Sequence, residues 1–139
     1  MKNLLFLIIF TVAAATQVNA QTYKVIVNSA NSTESISKKD LSDIFLKKQT
    51  SWKDGTSATP VDLGTRSTTR AAFTLDVHGQ SIGAIRSYWQ EASFSGSATP
   101  PLERKSDADV VAFVSAYPGA VGYVSDATDV SGVKVLTVK

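Results

Sequence analysis

Four serines punctuate this chain, each at the start of a helical pattern, with short β-branched runs placed between and around those patterns. A serine ahead of an apolar-periodic stretch caps a helix by accepting a bond from an N–H of the first turn. Ser37 has Asp40 three residues on and Ser106 has Asp109, two capping-box variants with Asp in place of Glu or Gln. Ser67 and Ser81 open the other two helices. Residues 23–27, 60–63, 120–124 and 133–138 are rich in Val, Ile, Leu and Tyr and read as strands. The order is therefore β-α-β-α-α-α-β-β. Strands alternating with helices predict one α/β domain, two or three layers thick, around a mixed sheet. The last two strands are joined by a short loop and are expected to form an antiparallel pair.

The apolar stripes say which faces are buried. Leu41, Ile44 and Phe45 share one face of the first helix, and Ile36 before the cap can staple to Leu41. Lys47 and Lys48 suit its negative end. Ile82, Ile85, Trp89 and Ala92 form one stripe of the third helix, with Tyr88 beside it. The expected core includes Ile44, Phe45, Phe73, Ile85, Trp89, Val111, Val114 and Val121. Trp52 lies in a polar loop and is read as a lid over the core edge.

Residues 1–20 have a different design. Lys2 precedes an uncharged apolar run from Leu4 to Ala15, and Val18-Asn19-Ala20 sets small residues before a cut ahead of Gln21. That is the layout of a secretory signal peptide. The run is shorter than the roughly 20 residues a bilayer span needs. Residues 21–139 then make one domain with no membrane anchor after cleavage. Without Lys2 the chain holds 13 basic and 12 acidic residues, a net of +1, which gives no argument for nucleic acid or an anionic membrane. There is no cysteine, so neither a lipoprotein anchor nor a disulfide is available, and stability must come from packing. An exported chain of this kind fits a bacterial periplasm or exterior.

No enzyme is expected. Clustered Cys and His for zinc or redox chemistry are absent, as are a nucleophile elbow and a Walker loop. The single histidine, His78, stands beside Gly79 near a helix end and is read as a partner of the helix dipole. Asp126 and Asp129 fall well short of a calcium loop. No metal or cofactor is predicted.

The chemistry points instead to residues 64–73, Gly-Thr-Arg-Ser-Thr-Thr-Arg-Ala-Ala-Phe. This stretch leaves the run 61–63 and turns into the second helix. A helix N-terminus offers unpaired N–H groups and the positive end of a dipole. Arg66, Ser67, Thr68, Thr69 and Arg70 placed there make a candidate oxyanion site that needs no metal. The plainer reading is an ordinary cap at Ser67 with solvated arginines.

Three segments, read together, resemble one family. Val25-Ile26-Val27-Asn28 followed by Leu41-Ser42-Asp43-Ile44-Phe45-Leu46, Lys47-Lys48 and Trp52 is similar to the opening segment of phosphate-type periplasmic substrate-binding proteins. Arg66-Ser67-Thr68-Thr69 with Phe73 resembles their anion loop, and Pro118-Gly119-Ala120-Val121-Gly122-Tyr123-Val124 their Pro-Gly-x-Ile-Gly-Tyr-Val strand. The spacing of Trp89, Phe94, Gly96 and Pro100-Pro101 resembles that of the short single-domain members. Thr68 stands where the family pattern has glycine, and Arg66 is a displaced counterpart of its arginine. The resemblance implies one lobe of the type II periplasmic-binding fold, a sandwich with a mixed sheet flanked by helices. It implies binding of phosphate or a similar oxyanion for an ABC transporter. The alternative is a periplasmic interaction or sensory module that keeps the lobe without tight ligand binding. An arginine pair engaged with carboxylates such as Asp62 or Asp76 would favour the alternative.

Overall fold

The computed structural model of this chain describes residues 22–139; the export signal read in residues 1–20 lies outside them. The strands are β1 (Tyr23–Asn28), β2 (Ser35–Ile36), β3 (Thr59–Leu63), β4 (Leu102–Arg104), β5 (Ala120–Ser125) and β6 (Val133–Val138). The helices are α1 (Lys38–Phe45), α2 (Thr68–Phe73), α3 (Ile82–Phe94) and α4 (Asp107–Ala116), and α2 runs on as a π-helical turn, Thr74–His78. All four expected serines cap their helices: Ser37, Ser67, Ser81 and Ser106 accept from the N–H groups of Asp40, Arg70, Ala84 and Asp109.

The strands form one mixed sheet in the order β2-β6-β1-β5-β3-β4. β1 is antiparallel to both β5 and β6, whereas β3 is parallel to β5 and β4. The expected β5–β6 hairpin is not formed; β1 lies between the two, and they run in the same direction. Tyr23 pairs with Ser125 and Asn28 with Val133, so the chain must travel the length of β1 between β5 and β6. The seven residues 126–132 can do this, since extended chain covers about 3.3–3.6 Å per residue. β2 and β4 were not expected as strands. Each is two or three residues long and is held by one neighbour, β6 or β3.

Consecutive residues of β5 show how the layers are built. A Cβ at Gly122 would lie 2.6 Å from Val110 Cγ1 and 2.9 Å from Val61 Cγ1, so the absent side chain lets α4 sit close on one face of the sheet. Tyr123, pointing the other way, stacks on Phe73 of α2 at 3.9 Å and meets Phe45 of α1 at 5.8 Å. Helices thus cover both faces, as the α/β reading expected. Phe45, Phe73, Ile44, Val114 and Val121 are buried in the main core, and Ile85 and Trp89 in a separate cluster with Leu46 and Ala92. Val111 is only half-buried, because Val110 and Val114 take the face of α4 that meets the sheet. Trp52 is buried at the core edge, its indole N–H donating to Gly119 O at 3.0 Å.

Candidate functional site

Strands β3 and β5 run parallel and end side by side, at Leu63 and Ser125. In open α/β sheets the crevice beyond the carboxyl ends of such strands is where ligands bind. Here it is a cleft of about 370 Å³ lined by Thr22, Thr68, Thr69, Ser125 and Asp126. Residues 64–67 turn the chain from β3 into α2, with Ser67 N–H donating to Gly64 O at 3.0 Å. Ser67 Oγ accepts from Arg70 N–H at 3.1 Å. The amides of Thr68 and Thr69 in the first turn have no helical partner. Both residues line the cleft.

The two arginines of the stretch part company. Arg66 is exposed in the turn, with no hydrogen bond or ion pair among the described residues. Arg70 is buried, its side chain led back toward the strand ends by helix geometry. Its Nη1 donates to Leu63 O at 2.8 Å and to Glu103 Oε1 at 2.7 Å, and its Nη2 lies 3.8 Å from Asp62 Oδ2. Of the five residues expected to face a ligand, the structure sets Thr68 and Thr69 on the cleft and leaves Arg66 exposed in the turn two residues before Thr68, while Ser67 is occupied as a cap and Arg70 as an ion-pair partner.

Beneath the turn lies a buried polar cluster. Tyr123 OH donates to Asp62 Oδ1 at 2.7 Å and accepts from Leu63 N–H at 3.3 Å. Burial pushes the Asp62 carboxyl up from its ordinary value, with Arg70 pulling the other way. Burial also opposes the Arg70 charge, but Asp62 and Glu103 outweigh it and hold the guanidinium charged. Burial, and then Asp62, push the Tyr123 hydroxyl far up, so it acts as a donor. Of these residues only Asp62 was suspected as a partner for an arginine. Glu103 carries no local signal, because its role depends on β4 pairing with β3.

Asp76 does not meet the arginines; it accepts from Tyr23 OH at 2.6 Å and Lys38 Nζ at 2.7 Å. The dipole-partner role expected of His78 needs an imidazolium, and the structure argues against one. His78 Nδ1 lies 2.7 Å from Ser42 Oγ, and burial, with Arg70 and Lys48 nearby, lowers its pKa to about 4. Lys47 and Lys48 fall beyond the last turn of α1, Lys47 in the left-handed region at φ 56°. Among the described residues no group of three or more His, Cys, Asp or Glu could hold a metal ion. Nor is any helix among them long and apolar enough to cross a membrane. A second cavity of about 210 Å³ lies beside the N-terminus of α1, and its charges, Asp40, Lys53 and Lys139, are of both signs.

A family model described as a PBP superfamily domain matches residues 12–137. Among solved structures, an ABC-type phosphate transport receptor from Vibrio cholerae superposes with a TM-score of 0.67 at 19% identity, over 84% of this chain and 46% of that one. A protein from Clostridium perfringens described as a phosphate ABC transporter substrate-binding protein, solved with bound phosphate, gives 0.67 at 20% identity over 84% and 44%. The chain thus spans less than half the length of these structures, and the likeness is one of fold. No curated protein matches it.

Proposed function

The chain belongs to the PBP superfamily, and from that premise we propose that it is an exported solute-binding module taking phosphate or a similar oxyanion at the β3–α2 turn. The observation that carries this reading is the pairing of an exposed Arg66, without a partner among the described residues, with the open first turn of α2, at the carboxyl ends of β3 and β5. Thr68 and Thr69 would supply N–H and hydroxyl donors and Arg66 a planar fork. The role is binding, with no chemical step. The names of the solved neighbours support phosphate as the first ligand to try and an ABC transporter membrane component as the partner.

At an exposed turn the anion is open to water, where each charge-assisted contact contributes less. Two or three such contacts correspond to a dissociation constant of roughly micromolar to millimolar order. Calorimetry of the protein from Gln21 onward against phosphate, sulfate and simple carboxylates tests this. Saturable binding that weakens with salt is expected. Export is tested by sequencing the N-terminus of protein from the native cell envelope, which should begin at Gln21; a chain beginning at Met1 and released only by detergent would refute it.

A second reading has its own support. Of the two arginines one, Arg70, is engaged by carboxylates, Glu103 and Asp62, which is half of the arrangement expected of an interaction or sensory module. Absence of saturable anion binding up to several millimolar would favour that module.

A further inference from the structure

We propose that the cavity beside α1 is a second binding site, one for a small zwitterion of the α-amino-acid class. It stands apart from the β3–α2 turn, and the two hollows share no lining residue. The cavity measures about 210 Å³ and lies where β2, the start of α1 and the loop after α1 meet. Ile36 and the buried Trp52 give it an apolar part, Ser35 and Ser37 a polar one. The Trp52 indole N–H is already donated to Gly119 O, so that side chain has only ring surface to offer. Asp40, Lys53 and Lys139 complete the charged lining. Lys139 is fixed in place: its N–H donates to Ile36 O, and its O accepts from Lys38 N–H.

What marks this cavity out is its charge pattern. Asp40, Lys53 and Lys139 border one hollow, yet no ion pair among the described residues joins them to each other or to any other group. The nearby lysines of α1 are engaged elsewhere, Lys38 with Asp76 and Lys39 with Asp43. A carboxylate and two ammonium groups are thus left without partners around the same space. A ligand carrying both signs can bridge them, its carboxylate to Lys53 and Lys139 and its ammonium to Asp40. A simple anion would be opposed by Asp40, and a simple cation by the two lysines. The cavity is smaller than the roughly 300–1,000 Å³ of sites for drug-sized molecules, which limits the ligand to a single amino acid or a dipeptide. All three charged residues are exposed, so water and salt weaken each contact and the dissociation constant should be of roughly millimolar order.

The test is a titration followed by amide chemical shifts of residues 21–139, with three probes of one size. L-Alanine carries both charges, propionate lacks the ammonium, and ethylammonium lacks the carboxylate. L-Alanine should shift the amides of Ser37, Asp40 and Lys53 saturably, and each half-ligand should bind about tenfold more weakly or worse. Asp40→Asn should weaken L-alanine by about tenfold while leaving propionate no weaker than in wild type. The double variant Lys53→Gln with Lys139→Gln should weaken both. Lys105→Gln, which removes an exposed lysine next to β4 at the opposite edge of the sheet, should bind L-alanine as wild type does. Propionate binding as tightly as L-alanine would overturn the proposal, because the cavity would then be a plain anion site. L-Alanine binding that neither Asp40→Asn nor the double lysine variant weakens would overturn it too. So would L-alanine shifts centred on Thr68 and Thr69, or no saturable shift up to tens of millimolar.

Discussion

The rim and the floor of the candidate site use the same residue type for opposite purposes. Arg66 at the rim is exposed and has no partner among the described residues, while Arg70, four residues on, is buried against Asp62, Glu103 and the Leu63 carbonyl. The difference comes from position on the helix. A residue in the turn ahead of the cap projects into solvent, whereas one at the end of the first turn leans back over the strand it follows. A rim arginine keeps its donors free for a ligand. A floor arginine spends them on the fold, and its loss strands a buried charge.

The floor should therefore dominate stability. Arg70→Ala leaves Asp62 buried without its cation, and breaking a buried pair by removing one partner costs roughly 3–5 kcal/mol. Urea denaturation checks this, and a loss under about 1 kcal/mol would mean that the cluster adapts as a surface pair does.

The next effect is in the pH dependence. Above pH 6.5 the His78 imidazole is neutral in both folded and unfolded chains. Below that the unfolded chain takes up the proton, and the folded one does not until about pH 4. The stability of the wild type should therefore fall as pH drops through this window, by up to roughly 3 kcal/mol relative to a chain without the group. Comparing wild type with His78→Gln between pH 7 and pH 4 isolates the term, since other titrating groups are common to both. Parallel curves would show that His78 is accessible to protons in the folded state.

Why the helix caps were legible and the floor was not is a matter of range. Ser37, Ser67, Ser81 and Ser106 announce helices through contacts three residues away, so a local pattern finds them. The alternation of strands and helices followed, and with it the layered α/β fold. What failed is non-local. β2 and β4 exist through Val138 and Val61, their pairing partners across the sheet, and have no period of their own. The separation of β5 from β6 depends on β1, nearly a hundred residues earlier in the chain. Arg70 read as a ligand because its neighbours in sequence are hydroxyls; its neighbours in space are Asp62, Glu103 and Tyr123. Gly122 looked like one residue of a motif, and its reason is the 2.6 Å approach of Val110.

The rim should show the smallest stability effect and the largest functional one. Arg66→Ala should change stability by no more than about 0.5 kcal/mol, as surface substitutions do. It should weaken phosphate binding by about tenfold. A large stability loss with unchanged binding would reverse the roles assigned to the two arginines.

The most direct measurement is a phosphate titration followed by amide chemical shifts of residues 21–139. If the oxyanion sits at the β3–α2 turn, the amides of Ser67, Thr68 and Thr69 should shift saturably and together, and Arg66→Ala should reduce the shifts in parallel. Saturable shifts centred instead on Lys53 and Lys139 beside α1, or none at all up to several millimolar phosphate, would contradict the account.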